Sequence, residues 1–406
     1  MEHLNSMNTI PTSPINRRAF LAGAASATAL TALKPSLAFG AQANSKIEIG
    51  LIGCGGRGSW LGPLFDESGL YRWVACADYF QDKVDKFGEK HGIEPSRRYT
   101  GLSGHKRLLE SKLDAVVIES PPHFHPQHAS DAVDAGKHVY LAKPIAVDVP
   151  GCLTIADAGK RATAKKLVFL VDFQTRANEH YRKALEMVRR GDIGKIVMGE
   201  AHYPWRGGGR GMPPATPEQQ LRSWYYVLPL SGDFIVEQSI HSLDVATWIL
   251  DTDPIRAIGA GGQKLRPKGS IWDHFAAQYS FPDDVTLSFT CIQSIPEMKD
   301  EITARVYGSD GYIQTDYYSD VILRGKDVYK GTNPELYTSG SKVNIHEFHQ
   351  FVTQGKFDNP TVAPSVRSNL TAILGREAGY RHGELTWAAM MREARKLEFD
   401  VTGLKA

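Results

Sequence analysis

Lys46-Ile47-Glu48-Ile49-Gly50-Leu51-Ile52-Gly53-Cys54-Gly55-Gly56-Arg57-Gly58, a helical run, and then Trp73-Val74-Ala75-Cys76-Ala77-Asp78 decide the fold of this chain. Ile47, Ile49, Leu51 and Ile52 make the short, β-branched apolar run of a parallel strand buried on both faces. The run ends in a G-x-G-x-x-G turn at Gly53, Gly55 and Gly58. A second apolar run closes on Asp78, twenty positions beyond Gly58. Gly53 permits the tight turn, Gly55 lets backbone approach a pyrophosphate, and Gly58 lets helix pack on strand. The helix N-terminus offers free N–H groups and the positive end of a dipole to phosphates, and Asp78 stands where an acid meets an adenosine ribose. Gly56 and Arg57 lie inside the same turn and join the candidate cofactor-binding set. The alternative is a glycine-rich turn that binds nothing.

The chain has 406 residues, enough for two domains, with 42% apolar and 23% charged residues and a formal net charge of +2. That composition describes an ordinary globular protein and gives no argument for a nucleic-acid or anionic-membrane partner. Four cysteines, Cys54, Cys76, Cys152 and Cys291, are too few and too scattered for a disulfide framework or a zinc site. Cys54 and Cys76 fall near the ends of neighbouring strands, where a disulfide is the alternative to buried thiols. Asn16-Arg17-Arg18-Ala19-Phe20-Leu21 is a twin-arginine pattern, followed by an alanine-rich apolar segment to Leu33 and small residues around Ala38–Ala43. Residues 1–43 therefore read as a cleavable export signal, which predicts a periplasmic or otherwise exported protein. The segment is too short and weakly hydrophobic for a lasting membrane span, so no membrane partner is expected after cleavage.

Beyond Asp78, helices over Gln81–His91, Gly104–Ser111, His125–Ala135 and Val149–Lys165 alternate with strands over Leu113–Ile118, Lys137–Leu141 and Leu167–Asp172. The fold class is α/β: a doubly wound parallel sheet over residues 44–172, then a second α/β domain over residues 173–406. Right-handed crossovers bring the C-terminal strand ends to one ligand edge. Gly53–Gly58, Asp78, Ser120–His125 and Ala142–Pro144 all fall there, which adds Ser120, Pro121 and His125 to the cofactor set.

The chain resembles the Gfo/Idh/MocA family of oxidoreductases from Lys46 to its end. The resemblance rests on the GCGGRG turn, ESPPHFH, GKHVYLAKP and GDFIVEQSIHSLD taken together. It implies an N-terminal Rossmann domain that binds NAD or NADP and a C-terminal α/β domain built on a large open sheet. It also implies action on sugars or cyclitols, and a homo-oligomer, dimer or tetramer, built on that sheet's exposed face. Some members cleave glycosides through a transient NAD-dependent oxidation. Lys143 matches the lysine that in the family meets substrate and nicotinamide. Ala142 replaces the family's preceding glutamate, and Glu237-x-x-x-His241 replaces an Asp-x-x-x-His.

In the second half, Glu179–Arg190 reads as an amphipathic helix, Lys195–Tyr203 as a strand, and Pro204–Leu230 as a long loop. That loop carries Arg222, Trp224 and Tyr225, whose aromatic faces and polar edges suit a sugar. Loop packing or a subunit contact is the alternative. Phe234–Leu250 reads as one helix. It would put Glu237, His241 and Asp244 on one face at i, i+4 and i+7, with Asp244 a candidate substrate contact. A hydrogen-bonded structural trio or a metal face is the alternative. Of His123, His125 and His128, two precede a helix in a cofactor-edge turn, and no metal site is expected. Ala276–Phe281, Thr286–Ile292, Glu301–Gly308 and Tyr312–Asp316 read as strands of an antiparallel-rich sheet with hairpins at Asp283-Asp284 and Ser309-Asp310-Gly311, and Val366–His382 as a late helix.

These readings assemble into oxidation of a secondary alcohol. His241 is the candidate base, since imidazole titrates near neutral pH, with Lys143 donating to the reacting oxygen and Glu237 orienting His241 or binding an adjacent hydroxyl. Asp78 followed by Tyr79, with no basic residue to grip a 2′-phosphate, favours NAD over NADP. An exported enzyme cannot draw on the cytoplasmic cofactor pool, so a tightly bound, recycled NAD is expected. Glycoside cleavage by oxidation and elimination, and sugar binding without catalysis, are the alternatives.

Overall fold

Strands β1 (Ile47–Ile52), β2 (Tyr71–Asp78), β3 (Arg98–Thr100), β4 (Ala115–Ile118), β5 (His138–Ala142) and β6 (Phe169–Asp172) form one sheet in the order β3-β2-β1-β4-β5-β6. Every pairing in it is parallel. Helices α1 (Gly56–Ser68), α2 (Gln81–Lys90), α3 (Gly104–Leu109), α4 (His125–Asp134) and α5 (Val149–Ala164) make the crossovers. Helices cover both faces, so β4 is buried at every position and reads as an unbroken apolar run. Strand order reverses between β1 and β4, which opens a crevice at their C-terminal ends. This computed structural model describes residues 46–209, 211, 215–267 and 271–406. The export signal read at residues 1–43, with Arg17 and Arg18, lies outside the described residues, as do Arg210 and Pro213-Pro214.

After α6 (Gln174–Ala177) and α7 (Glu179–Arg189) the chain enters a nine-stranded mixed sheet. Its strands are β7 (Ile196–Trp205), β8 (Arg256–Gly262), β9 (His274–Ser280), β10 (Thr286–Gln293), β11 (Thr303–Gly308), β12 (Gly311–Asp316), β13 (Asp320–Arg324), β14 (Val328–Thr332) and β15 (Glu384–Thr386). They run in the order β14-β13-β12-β11-β7-β10-β9-β8-β15, antiparallel except for β7 beside β10. Burial alternates along β9 and β10, as expected of a sheet with one face on a core and one face open. Asp283 and Asp284 both adopt positive φ, 58° and 59°, in the turn joining β9 to β10.

Two sequence expectations need correction. Pro204–Leu230 is not one loop, because it contains α8 (Pro217–Arg222), a 3-10 turn (Trp224–Tyr226) and α9 (Leu228–Ser231). Thr216 starts α8 with a reciprocal capping box to Gln219, a local signal that was legible in the sequence. Phe234–Leu250 is two helices, α10 (Phe234–Glu237) and α11 (Ile240–Leu250). The sequence reading also missed α12 (Leu336–Gln354), which precedes α13 (Val362–Arg381) and α14 (Trp387–Glu393). Helix α12 returns to the first sheet, where Tyr71 donates its hydroxyl to Ile345 O at 2.6 Å and Asn344 donates to Asp172 at 2.7 Å.

Candidate functional site

The glycine turn fits a phosphate ligand position by position. Gly53 has φ +100°, and a Cβ there would stand 2.4 Å from Ser120 N, so the turns after β1 and β4 touch through this residue. A Cβ on Gly58 would stand 2.2 Å from Gly53 O, which is the close helix–strand packing expected. A Cβ on Gly55 or Gly56 would meet nothing within 4 Å, and no side chain caps the N-terminus of α1. The start of α1, whose first N–H groups have no intrahelical partner, thus borders an open cleft. Gly53, Gly55, Gly56, Arg57, Asp78, Ser120 and Pro121 all line it. Asp78 is held by two backbone donors, Cys54 N–H at 2.8 Å and Phe80 N–H at 3.0 Å. Burial raises its pKa and these two donors oppose that. The turn, the open helix end and the fixed acid fit a dinucleotide, with its adenosine on the β2 side and its nicotinamide on the β4–β5 side.

His125 belongs to the scaffold of this cleft rather than to its lining. Its ring is buried with Nδ1 2.8 Å from Pro144 O and Nε2 2.6 Å from Ser120 O, so it ties the end of β4 to the end of β5. Burial lowers its pKa to about 4. His123 Nδ1 lies 2.9 Å from Pro229 O, and His128 Nδ1 lies 3.0 Å from Ser120 Oγ. Among the described residues no group of three His, Cys, Asp or Glu side chains is placed to hold a metal. All four cysteines are buried free thiols.

Arg222 and Trp224, read as substrate contacts, line the adenosine side of the cleft instead. Arg222 lies over the Phe80 ring at 3.9 Å and donates both Nη groups to Asp82 at 3.1 Å. Lys83 lines the same end. The expectation of no basic residue for a 2′-phosphate is therefore corrected: Lys83 is local to this end, and the fold adds Arg222 from the second half of the chain, paired with Asp82. Tyr225 points elsewhere, its hydroxyl 2.5 Å from Gln238 Oε1 and 2.9 Å from Gln293 Oε1, with one proton to donate between them.

The break between α10 and α11 explains what Lys143 does. Ser239 N–H reaches back five residues to Phe234 O (2.9 Å), and His241 N–H takes Gln238 O (3.2 Å) rather than Glu237 O. Glu237 O is thereby left outside the helical ladder. Lys143 Nζ, at the end of β5, donates to it at 2.7 Å and lies 3.6 Å from Glu237 Oε1. Glu237 thus holds Lys143 rather than orienting His241, the first of the two roles expected of it. The His241 ring lies edge-on to Phe173 (6.2 Å) and Tyr317 (5.7 Å), with Nδ1 buried and unpartnered. Burial first, then the positive charges of Lys143 and Arg57, push its pKa well below 6.5. The expectation of a histidine titrating near neutral pH is corrected: the imidazole is neutral across the physiological range.

Asp244 is not a substrate group. Its carboxylate is fully buried and takes Arg176 Nε at 3.0 Å and Nη2 at 2.7 Å. With the helix broken at Gln238, the face that carries Asp244 turns into the core.

Sequence reasoning named Arg57 for the cofactor turn but missed its partners and the acid beside it, Glu119, which also lines the cleft. Arg57 is stacked between Trp60 (4.6 Å) and Tyr337 (4.9 Å) and donates to Asp172 at 2.5 Å and Ser341 at 3.1 Å. Glu119, one residue past β4, lies 3.9 Å from Arg57 Nε, with its side chain fully buried and both carboxyl oxygens unpartnered. Burial raises its pKa to about 8. The available signal was an acid directly following the apolar run Ala115–Ile118.

Residues 47–172 match the model of the oxidoreductase family with an NAD-binding Rossmann fold, and residues 181–314 match the Gfo/Idh/MocA C-terminal domain. The chain belongs to the Gfo/Idh/MocA family. Among curated Gfo/Idh/MocA relatives, an inositol 2-dehydrogenase of Saccharopolyspora erythraea is 32% identical over 166 residues, 41% of this chain and 42% of that protein. An alpha-N-acetylgalactosaminidase of Shewanella oneidensis is 31% identical over 163 residues, 39% of this chain and 35% of that protein. The chain spans about two fifths or less of the length of these two relatives. Solved structures show the same fold. A levoglucosan dehydrogenase bound to NADH and levoglucosan has TM-score 0.70 at 18% identity, covering 84% of this chain and 99% of that one. A 3-ketoreductase of Actinomadura kijaniata bound to NADP and a TDP-benzene has TM-score 0.65 at 19% identity, covering 82% and 98%.

Proposed function

We propose that this Gfo/Idh/MocA protein interconverts a secondary hydroxyl and a ketone on a sugar, glycoside or cyclitol, with an NAD that stays bound and is recycled. The observation that carries the reading is the meeting of Lys143, directly after β5, with Glu237, near enough for the Lys143 charge to act on His241. Bound NAD supplies the hydride acceptor. Lys143, fixed by Glu237 O, presents an ammonium to the reacting oxygen and stabilises negative charge developing there. His241, kept neutral, is free to accept the hydroxyl proton, and a depressed pKa keeps it unprotonated before substrate arrives. Phe173 and Tyr317 fix the ring and exclude water from one side. Asp78, fixed by two backbone donors, supports NAD; NADP would have to draw on Lys83 and on Arg222, which is committed to Asp82.

Lys143→Met and His241→Ala are expected to keep bound dinucleotide but lose hydride transfer, since removing a general base costs about 10²–10⁴ in rate. The assay is NADH absorbance and fluorescence on single turnover with sugars that reduce the wild type. Undiminished turnover in both variants would sink the assignment, and release of NADP from denatured wild type would overturn the cofactor preference alone.

Glycoside cleavage is the second reading, supported by the relative named alpha-N-acetylgalactosaminidase. It predicts aglycone release from an aryl glycoside with no net NADH, whereas the first reading predicts a keto sugar and an intact bond. The twin-arginine pattern supports export through residues 1–43. Replacing Arg17 and Arg18 with lysine should strand the precursor in the cytoplasm, and undiminished periplasmic protein would refute that. The open face of the second sheet supports a homo-oligomer, which sedimentation would test.

A further inference from the structure

The adenosine side of the cleft is lined by two parts of the chain and backed by a third. Phe80, Leu221, Leu230 and Phe399 form a buried apolar cluster, with Leu102, Trp224 and Leu404 packed against it. Phe80 and Leu102 come from the first sheet's turns, Leu221 to Leu230 from the second half, and Phe399 and Leu404 from the end of the chain. Each of the two later pieces is fastened to the first sheet by polar bonds. Arg222 bridges to Asp82 and stacks on Phe80, while His123 N–H donates to Leu230 O at 3.2 Å. Leu102 N–H donates to Lys405 O at 3.0 Å, Lys405 N–H to the Tyr79 hydroxyl at 3.1 Å, and Lys405 Nζ to Thr100 Oγ1 at 2.7 Å. A Cβ on Gly101 would stand 2.2 Å from Ala406 O, so the last residue lies directly on the turn after β3.

This apolar wall is continuous with Asp78 and the glycine turn, since Phe80, Leu102, Leu221, Arg222 and Trp224 line the same cleft. A flat, largely apolar heterocycle with a cationic group at its edge is the ligand such a wall takes. We propose that α8–α9 and the segment Phe399–Lys405 form a cap on the adenosine subsite, seating adenine against Phe80 and Leu102, and that this cap sets how slowly the dinucleotide leaves. The inference rests on the dinucleotide reading of the cleft and adds the part of the chain that retains the cofactor. Arg222 lines the adenosine end and is tied to Asp82, far in the chain from the glycine turn, so the cap is expected to act on the dissociation rate and not on the phosphate turn.

The experiment compares NADH with reduced nicotinamide mononucleotide, which lacks adenosine, on purified protein freed of cofactor. Arg222→Ala opens the bridge on a half-exposed side chain, and a chain ended after Glu398 removes the tail; thermal melts check that each folds. NADH should dissociate about ten-fold faster or more from either variant, followed by fluorescence on dilution, with mononucleotide affinity unchanged. Arg222→Ala suffices if the shortened chain does not fold. Unchanged NADH release, or equal loss for NADH and the mononucleotide, overturns the cap. If wild type binds neither ligand, it is the dinucleotide reading that fails, and the cap falls with it.

Discussion

Glu119→Gln should stabilise the cofactor-free protein, and by an amount that grows with pH. The Glu119 side chain is fully buried, and both oxygens lack hydrogen-bond partners, with Arg57 Nε 3.9 Å away. The groups facing it are Arg57 from α1, Lys143 after β5, Asp172 at the end of β6 and Tyr140 within β5. Burial is the largest influence and favours the neutral form; Arg57 and Lys143 oppose it, and Asp172 adds to it. The result is a carboxyl whose pKa rises from 4.5 to about 8 on folding. Below the unfolded value both states hold the proton, and the group costs nothing. As pH climbs toward the folded value, the unfolded chain releases its proton while the folded chain keeps it. Stability then falls by about 1.4 kcal/mol per pH unit from this group. Integrated to pH 7 the cost is roughly 3 kcal/mol, and it levels off above about pH 8. Glutamine occupies nearly the same volume and does not titrate. The difference in unfolding free energy between variant and wild type, measured by urea denaturation near pH 5, 6.5 and 8, should therefore widen steadily with pH. A difference that stays constant over that range would mean that Arg57 holds the carboxylate ionised in the folded protein, and the reasoning would be wrong.

Two further predictions concern packing. Gly58→Ala would place a Cβ 2.2 Å from Gly53 O, a backbone atom that cannot rotate away. A loss of about 1–3 kcal/mol of stability is expected, with weakened NADH binding as α1 is pushed off β1, read by melting and fluorescence titration. Unaltered NADH affinity would show that the turn tolerates the displacement. Arg176→Met would leave the Asp244 carboxylate buried without its partner and should cost about 3–5 kcal/mol, whereas Arg176→Met with Asp244→Leu should recover most of that. A double variant no better than the single one would show that the pair does more than neutralise itself.

The sequence by itself determined the first sheet and the ligand it faces. β1, the glycine turn and β2 are local features: apolar runs of strand length, glycines whose missing side chains are their function, and an acid at fixed spacing. The chain needs no distant partner to express them, so Gly53, Gly55, Gly58 and Asp78 stand where the spacing put them. Lys143 was legible for a related reason, because the end of a parallel strand fixes which edge a residue faces. Only the tertiary structure decided what the second half does. Helical periodicity placed Glu237, His241 and Asp244 on one face, but that inference assumes an unbroken ladder. The break at Gln238–Ser239 is set by packing around Asp233 and Gln238, and it sends Glu237 to Lys143 and Asp244 to Arg176. Arg222 and Trp224 have the composition of a sugar site, yet where a loop side chain lands depends on what the loop packs against, here Phe80 and Asp82. Glu119 follows the same logic: its identity is visible in the sequence, but the burial that makes it hold a proton, against the opposing charges of Arg57 and Lys143, exists only in the folded chain.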